Sequence, residues 1–306
     1  MAQSALSPVP QVPLSTGGPS LSAIVAGVWR LASWQLDVKG RVRWIEECVA
    51  LGITSFDHAD IYGDHQVEGM FGDALGAAPG LRGRIQLVSK CGIKLVSPHR
   101  PDHEIKSYDT SAAHVTASVD RSLRALRTDH LDLLLIHRPD SLMDPALLAD
   151  TFATLRAAGK VLHAGVSNHS PSQLALLHRL WPVATNQIEF SPLHLTPLSD
   201  GTLDQCLDLG LRPMIWSPLA GGRLFTSDDE PVRRVRAVLE TLGRAHGVSS
   251  ATIAYAWLLR HPSRPVPVTG SRRIEAQREA VAALGVSLTA EEWYQVWEAS
   301  AGRSVA

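Results

Sequence analysis

Apolar and polar positions follow two rhythms along this chain. From about Ser22 onward, short apolar runs alternate with longer stretches in which apolar residues recur every three or four positions, the spacing of one helix face. The short runs fall at residues 24–27, 53–56, 85–89, 131–136, 161–166, 184–188, 213–216 and 266–269. The longer stretches predict helices over 39–51, with Val42, Ile45 and Val49 on one face, over 66–78, over 111–127, with Val115, Val119, Leu123 and Leu126 in phase, and over 144–159. Ser170 followed by Pro171 pairs an N-cap with a proline at the first helical position and opens a helix reaching Trp181. Helices over 201–209, 231–245, 250–260 and 274–284 complete the alternation, and 289–299 predicts an appended one.

The run Leu131–Ile136 is apolar at five of its six positions, as a parallel sheet covered on both faces requires. Eight strands, each followed by a helix, predict an α/β fold of the (β/α)8 barrel type, with an extra C-terminal helix and long loops at the C-terminal face. A doubly wound sheet would need Gly-x-Gly-x-x-Gly after its first strand, and Gly27-Val28-Trp29 does not supply it. The expected division is a flexible segment over 1–21, rich in proline and serine, and one barrel domain over 22–306.

Composition adds mostly exclusions. The chain of 306 residues is 45% hydrophobic and 19% charged, with a formal net charge of -1, so it has material for a large core and no global attraction for nucleic acid or anionic lipid. No stretch has the ~18 uncharged apolar residues of a membrane span. Cys48, Cys91 and Cys206 are odd in number and lack metal-ligand spacing, so neither a disulfide framework nor a metal is expected. The N-terminal residues lack the basic start and apolar centre of a secretory signal, and a cytoplasmic location is expected. The absence of a zipper or repeat favours a monomer.

Three consecutive apolar runs end on ionisable residues: Asp57, with Tyr62 on the following loop, then Lys90, then His137. Singly, each has an ordinary explanation as a turn former, a packed ring, a solvated ammonium or a loop hydrogen bond. Adjacent strands of a closed barrel place their C-terminal ends side by side, so together they can converge. An ammonium beside a phenol lowers the phenol pKa, a carboxylate holds the ammonium charged, and an imidazole can hydrogen-bond a developing oxyanion. That set suits protonating a carbonyl oxygen while a nicotinamide cofactor delivers hydride, since no side chain can.

Around these residues the chain resembles the aldo-keto reductase superfamily from Ile24 to about Ala283. The matching stretches are Gly27-Val28-Trp29, Asp57-His58-Ala59-Asp60-Ile61-Tyr62-Gly63, Ser89-Lys90, Leu135-Ile136-His137-Arg138, Gly165-Val166-Ser167-Asn168, Asn186-Gln187, Trp216-Ser217-Pro218-Leu219 and Gly270-Ser271-Arg272. The wording around Asp57–Gly63, His137–Asp140 and Leu219–Leu224 is most similar to the YdhF-type bacterial oxidoreductases of that superfamily. The resemblance implies Tyr62 as proton donor, completed by Asp57, Lys90 and His137. It further implies that Ser167, Asn168 and Gln187 hold the nicotinamide carboxamide, that Trp216 stacks on the ring, and that Ser217, Leu219, Gly221 and Arg223 follow the pyrophosphate. Gly270, Ser271, Arg272 and Arg273, at a helix start, read as a phosphate site favouring NADP(H), with NAD(H) not excluded. The chain departs from the family pattern at Ala276 and Ala280, leaving Gln277 to compensate.

Trp29, Arg138 and Phe190, with Met143 and His169, are expected to face a small-molecule carbonyl substrate. Two other readings stay open at this stage. One is a cofactor-binding, redox-sensing or regulatory barrel with little catalysis. The other is a barrel aldolase in which Lys90 forms a Schiff base.

Overall fold

The computed structural model describes residues 9–305. Eight strands, β1 (Val25–Gly27), β2 (Ser55–Asp57), β3 (Gln86–Cys91), β4 (Leu131–Ile136), β5 (Val161–Ser167), β6 (Asn186–Glu189), β7 (Met214–Trp216) and β8 (Val266–Thr269), pair in parallel in chain order. Pairing of β8 with β1 closes the barrel. The main helices are α1 (Val38–Ala50), α2 (Val67–Ala77), α3 (Ala112–Leu126), α4 (Pro145–Ala157), α5 (Pro171–His178), α6 (Thr202–Asp208), α7 (Glu230–His246), α8 (Ser250–Leu259), α9 (Ile274–Ala282) and the appended α10 (Ala290–Ala301).

The sequence sets these elements locally as well as by pattern. Asp37, Ser111, Asp144, Ser170 and Thr289 cap the helices that follow them, each side chain accepting from backbone N–H groups of the first turn. At Ser170 and Thr289 the N3 residue, Gln173 or Glu292, reaches back to complete a capping box. Helix α5 stops at His178, three residues before the expected Trp181.

Alternation along the strands divides the core in two. Val25, Val88, Leu133, Leu135, Met214, Val266 and Val268 fill the barrel interior, while Phe56, Leu87, Leu134, Ile136, Ile188 and Ile215 face the helices. At Gly165 on β5 a Cβ would stand 2.8 Å from Thr185 O and 2.9 Å from Leu135 Cδ2, so only glycine admits the neighbouring strands here.

The expectation of a flexible segment over 1–21 is corrected from Val9 onward; residues 1–8 lie outside the described residues. Gln11–Pro13 and Ser20–Ser22 form an antiparallel hairpin, and Leu14 and Leu21, both fully buried, join the interior cluster. Arg212 N donates to Leu14 O at 2.7 Å, tying the hairpin to the lead-in of β7. The prolines suggested an unstructured segment, yet they suit a short edge ribbon whose stabilisation comes from plugging an apolar barrel end. Among the described residues no helix is long and apolar enough to cross a membrane, and no group of three or more His, Cys, Asp or Glu could hold a metal ion.

Candidate active site

The inward positions of β3, β4 and β7 are Val88, Leu135 and Met214, and two residues further along each strand direction stand Lys90, His137 and Trp216. A period of two therefore brings these three side chains out at the C-terminal mouth, where Asp57 ends β2. Tyr62 begins a single turn, Tyr62–His65, in which Gly63 (φ 56°) and Asp64 (φ 55°) are left-handed. Glycine suits this turn on two counts, because a Cβ on Gly63 would also stand 2.8 Å from Val67 Cγ2.

Lys90 Nζ is the centre of the arrangement. It donates to Asp57 Oδ2 at 2.7 Å, to His58 O at 2.8 Å and to Tyr62 Oη at 3.0 Å, using all three of its hydrogens. Burial works against its charge, but Asp57 and Tyr62 outweigh that and hold its pKa above the usual lysine value. The Tyr62 phenol behaves differently from the expectation of a lowered pKa. Burial raises it, Lys90 pulls it down, Asp57 raises it again, and the balance lies above the ordinary value. A phenol held in its protonated form is the state a proton donor needs. His137 sits edge-on to the Tyr62 ring, with centroids 5.9 Å apart. Burial, then the charges of Lys90 and Arg138, push its pKa well below the usual imidazole value, so it is neutral near pH 7.

A hydrogen-bonded chain connects Trp216 to Tyr62. Trp216 Nε1 donates to Asn168 Oδ1 (2.9 Å), Asn168 Nδ2 to Ser167 Oγ (2.7 Å), and Ser167 Oγ to Gln187 O (2.9 Å). Gln187 Nε2 then donates to Asp57 Oδ1 at 2.9 Å, and Asp57 holds Lys90. The residues expected to bind a carboxamide thus also brace the residues expected to move a proton. Gln187 Oε1 accepts nothing within the described residues and is not sealed from the cavity, which leaves it open to a ligand donor.

All of this lies in one cavity of about 970 Å³, running from Asp57, Tyr62 and His137 past Trp216 to Gly270, Ser271 and Arg273. Trp29, 58% exposed, and Arg138 are on its wall, as are Ser167, Asn168, Gln187, Ser217, Leu219 and Gly221. Arg30 bridges the two rims, donating to Gly221 O at 2.9 Å.

Six expected residues are elsewhere. Phe190, fully buried, shares the outward phase of Ile188 and packs on Trp257 and His261, so it is core rather than a substrate contact. Arg223 points away toward Asp229 (3.9 Å). Arg272 turns back to donate to Trp34 O (3.2 Å), leaving Arg273 as the guanidinium on the wall. Gln277 is fully buried and donates to Ser271 O (2.9 Å), so it fixes the phosphate-type loop from behind. Met143 and His169 also lie outside the cavity wall. Sequence reasoning missed Ile61, Ile93, Leu95 and Lys106 near the mouth, and Tyr255 and Glu279 at the far end. The helical spacing of Ala276 and Glu279 on α9 was the one available signal for the last of these.

Lys90 argues against an aldolase. A fully bonded ammonium with a raised pKa has no free lone pair with which to attack a carbonyl.

The closed parallel barrel and the Asp57, Tyr62, Lys90 and His137 cluster at its mouth fit a barrel oxidoreductase. The profile of the aldo/keto reductase family matches residues 23–301, and the chain belongs to that family. Among its relatives it is 46% identical to oxidoreductase YdhF of Escherichia coli (strain K12), over 97% of this chain and 99% of that protein. It is 41% identical to a 6-dehydroglucose reductase of Agrobacterium fabrum, over 94% and 96% of the two chains. A crystal structure of the thermostable aldo-keto reductase Tm1743 with the inhibitor epalrestat superposes with a TM-score of 0.79 at 24% identity, covering 95% of this chain and 99% of that one, a likeness of fold.

Proposed function

We propose that the protein reduces aldehyde or ketone carbonyls to alcohols, with Tyr62 as the proton donor and NADPH as the preferred reductant. The single observation that carries this reading is the triply bonded Lys90 Nζ, which places a charged ammonium 3.0 Å from a protonated phenol at the base of an open cavity. The cavity suits an extended dinucleotide in size, in its free Gln187 Oε1, and in the left-handed loop of Ser217, Ala220 and Gly221, of which Ser217 and Gly221 line its wall. A nicotinamide bound there would supply hydride to the carbonyl carbon. Trp216, Asn168, Ser167 and Gln187 would hold its ring and carboxamide, and Ser271 and Arg273 its 2'-phosphate.

The protein's own part is to orient the carbonyl and manage the proton. His137, neutral, offers a hydrogen bond to the carbonyl oxygen, and Tyr62 Oη–H transfers its proton there as negative charge develops. The resulting phenolate is stabilised by Lys90 Nζ, itself held by Asp57 and, through it, by Gln187. The name of the Agrobacterium fabrum relative supports reduction as the direction. With all four polar groups in contact or close to it, a purely sensing barrel is the weaker reading.

Turnover of 4-nitrobenzaldehyde, followed by NADPH oxidation, tests the activity, and dissociation constants for NADPH and NADH test the cofactor. The expected results are multiple turnovers and tighter NADPH binding by roughly tenfold, the contribution of one charge-assisted guanidinium contact. Cofactor binding without turnover would favour the sensing barrel, and tighter NADH binding would overturn the NADPH preference.

A further inference from the structure

Arg138 follows His137 directly at the top of β4, and its guanidinium stands over the Trp216 ring with Cζ 5.4 Å from the centroid. It lines the same cavity as Tyr62 and His137, yet among the described residues it has neither a carboxylate partner nor a hydrogen bond. Arg82, Arg127 and Lys160 elsewhere each hold an aspartate. The acid nearest to Arg138 in sequence, Asp140, is taken up by Thr110 N, Thr110 Oγ1 and Leu142 N. A guanidinium held over a ring by a cation–π contact does not spend its N–H donors on it, and these form the fork that matches a carboxylate.

Lys106, on the loop between β3 and α3, is a second cation on this wall without a partner among the described residues. Opposing them is Asp64, which has His99 Nε2 at 3.8 Å. The floor contributes no net charge, because Asp57 and Lys90 cancel and His137 is neutral. The substrate end therefore carries an excess of positive charge over apolar walls of Trp29, Ile61, Ile93 and Leu95. Arg138 also lowers the pKa of both Tyr62 and His137, as a cation close to the reacting position would.

We propose that Arg138, assisted by Lys106, is a specificity-determining residue that binds an anionic group on the substrate, so that the carbonyl compound taken is a short aldehyde or ketone bearing a carboxylate. This rests on the reductase reading and names the substrate class for that site. Because Arg138 adjoins His137, the anion and the carbonyl are separated by only a few bonds, as in a semialdehyde acid.

The test compares kcat/KM for succinic semialdehyde and for butanal, in wild type, Arg138→Gln and Arg138→Lys. Glyceraldehyde 3-phosphate against glyceraldehyde forms a parallel arm, and 4-nitrobenzaldehyde is the reference. Wild type is expected to favour succinic semialdehyde over butanal by roughly 10–100-fold, chiefly through KM. Arg138→Gln is expected to cut that ratio at least tenfold, and Arg138→Lys to restore part of it. A merely structural Arg138 would lower both substrates together and leave the ratio unmoved, overturning the proposal. A wild-type ratio near one with good turnover of neutral aldehydes overturns it too, while leaving the reductase reading intact. A preference confined to the phosphate arm would replace the carboxylate by a phosphate and overturn the class named here. Failure to turn over any of these, 4-nitrobenzaldehyde included, overturns the reductase reading and this proposal with it.

Discussion

The two ends of the cavity are built on different principles. At the Tyr62 end the polar groups are mostly side chains held by one another: Asp57 accepts from Lys90 and Gln187, and Lys90 spends all three hydrogens, one of them on His58 O. At the far end the wall is a pair of surface loops, with Ser217, Ala220, Gly221 and Gly222 at positive φ and Arg273 exposed. The first end is ordered by the burial of Asp57 and Lys90 and by the bonds between them. The second offers a loop wall and the exposed charge of Arg273. On the proposed function, side-chain chemistry is concentrated at the Tyr62 end, and an extended ligand would be recognised largely at the loop end.

Replacing Lys90 by methionine should break this contrast most severely. It leaves the Asp57 carboxylate buried without its counter-charge, so a stability loss of about 3–5 kcal/mol by urea denaturation is expected, together with loss of turnover. A variant as stable as wild type would show that Asp57 is held by other groups.

Acid should act on the same end. Burial, followed by Lys90, lowers the His58 pKa to about 3, and burial lowers that of His169 to about 4. The unfolded chain takes up protons on these imidazoles near pH 6.5, and the folded chain does so only well below. Protons in that window therefore favour unfolding, and stability should fall as pH drops below about 6.5, by up to about 1.4 kcal/mol per pH unit for each imidazole. A flat profile of unfolding free energy between pH 6.5 and 4.5 would contradict the buried, neutral state of these rings.

Gln187→Leu sharpens the comparison, since Gln187 is where the two ends meet. Loss of its bond to Asp57 should cost about 1–2 kcal/mol and should weaken cofactor binding and turnover together. If only one of the two falls, the hydrogen-bonded chain from Trp216 to Tyr62 does not couple them. Arg273→Ala should have the smallest structural effect, within about 0.5 kcal/mol of wild-type stability, while weakening NADPH and sparing NADH.

The same contrast explains what the sequence made legible. Lys90, His137 and Trp216 could be located because strand period and an apolar inward row fix where a strand-end side chain points. Phe190 obeys that rule as well, and reading its phase with Ile188 would have placed it in the core. Loops follow no such period. Arg272 and Arg273 are adjacent, and only the backbone course sends one to Trp34 O and the other to the cavity. Lys106 and Glu279 reach the wall by loop and helix placement that no motif marks. The hairpin at Gln11–Pro13 and Ser20–Ser22 was hidden for a related reason, as its stability depends on the open barrel end it fills and not on its own pattern. Gln187 and Asp57, 130 positions apart, meet only through closure of the barrel.

Tyr62 is the residue on which the proposed proton transfer depends most directly. Single-turnover NADPH oxidation with 4-nitrobenzaldehyde should be about 10²–10⁴-fold slower in Tyr62→Phe than in wild type, with the NADPH dissociation constant changed by no more than about twofold. A Tyr62→Phe enzyme that retains a rate within about tenfold of wild type would take the proton-donor role away from Tyr62.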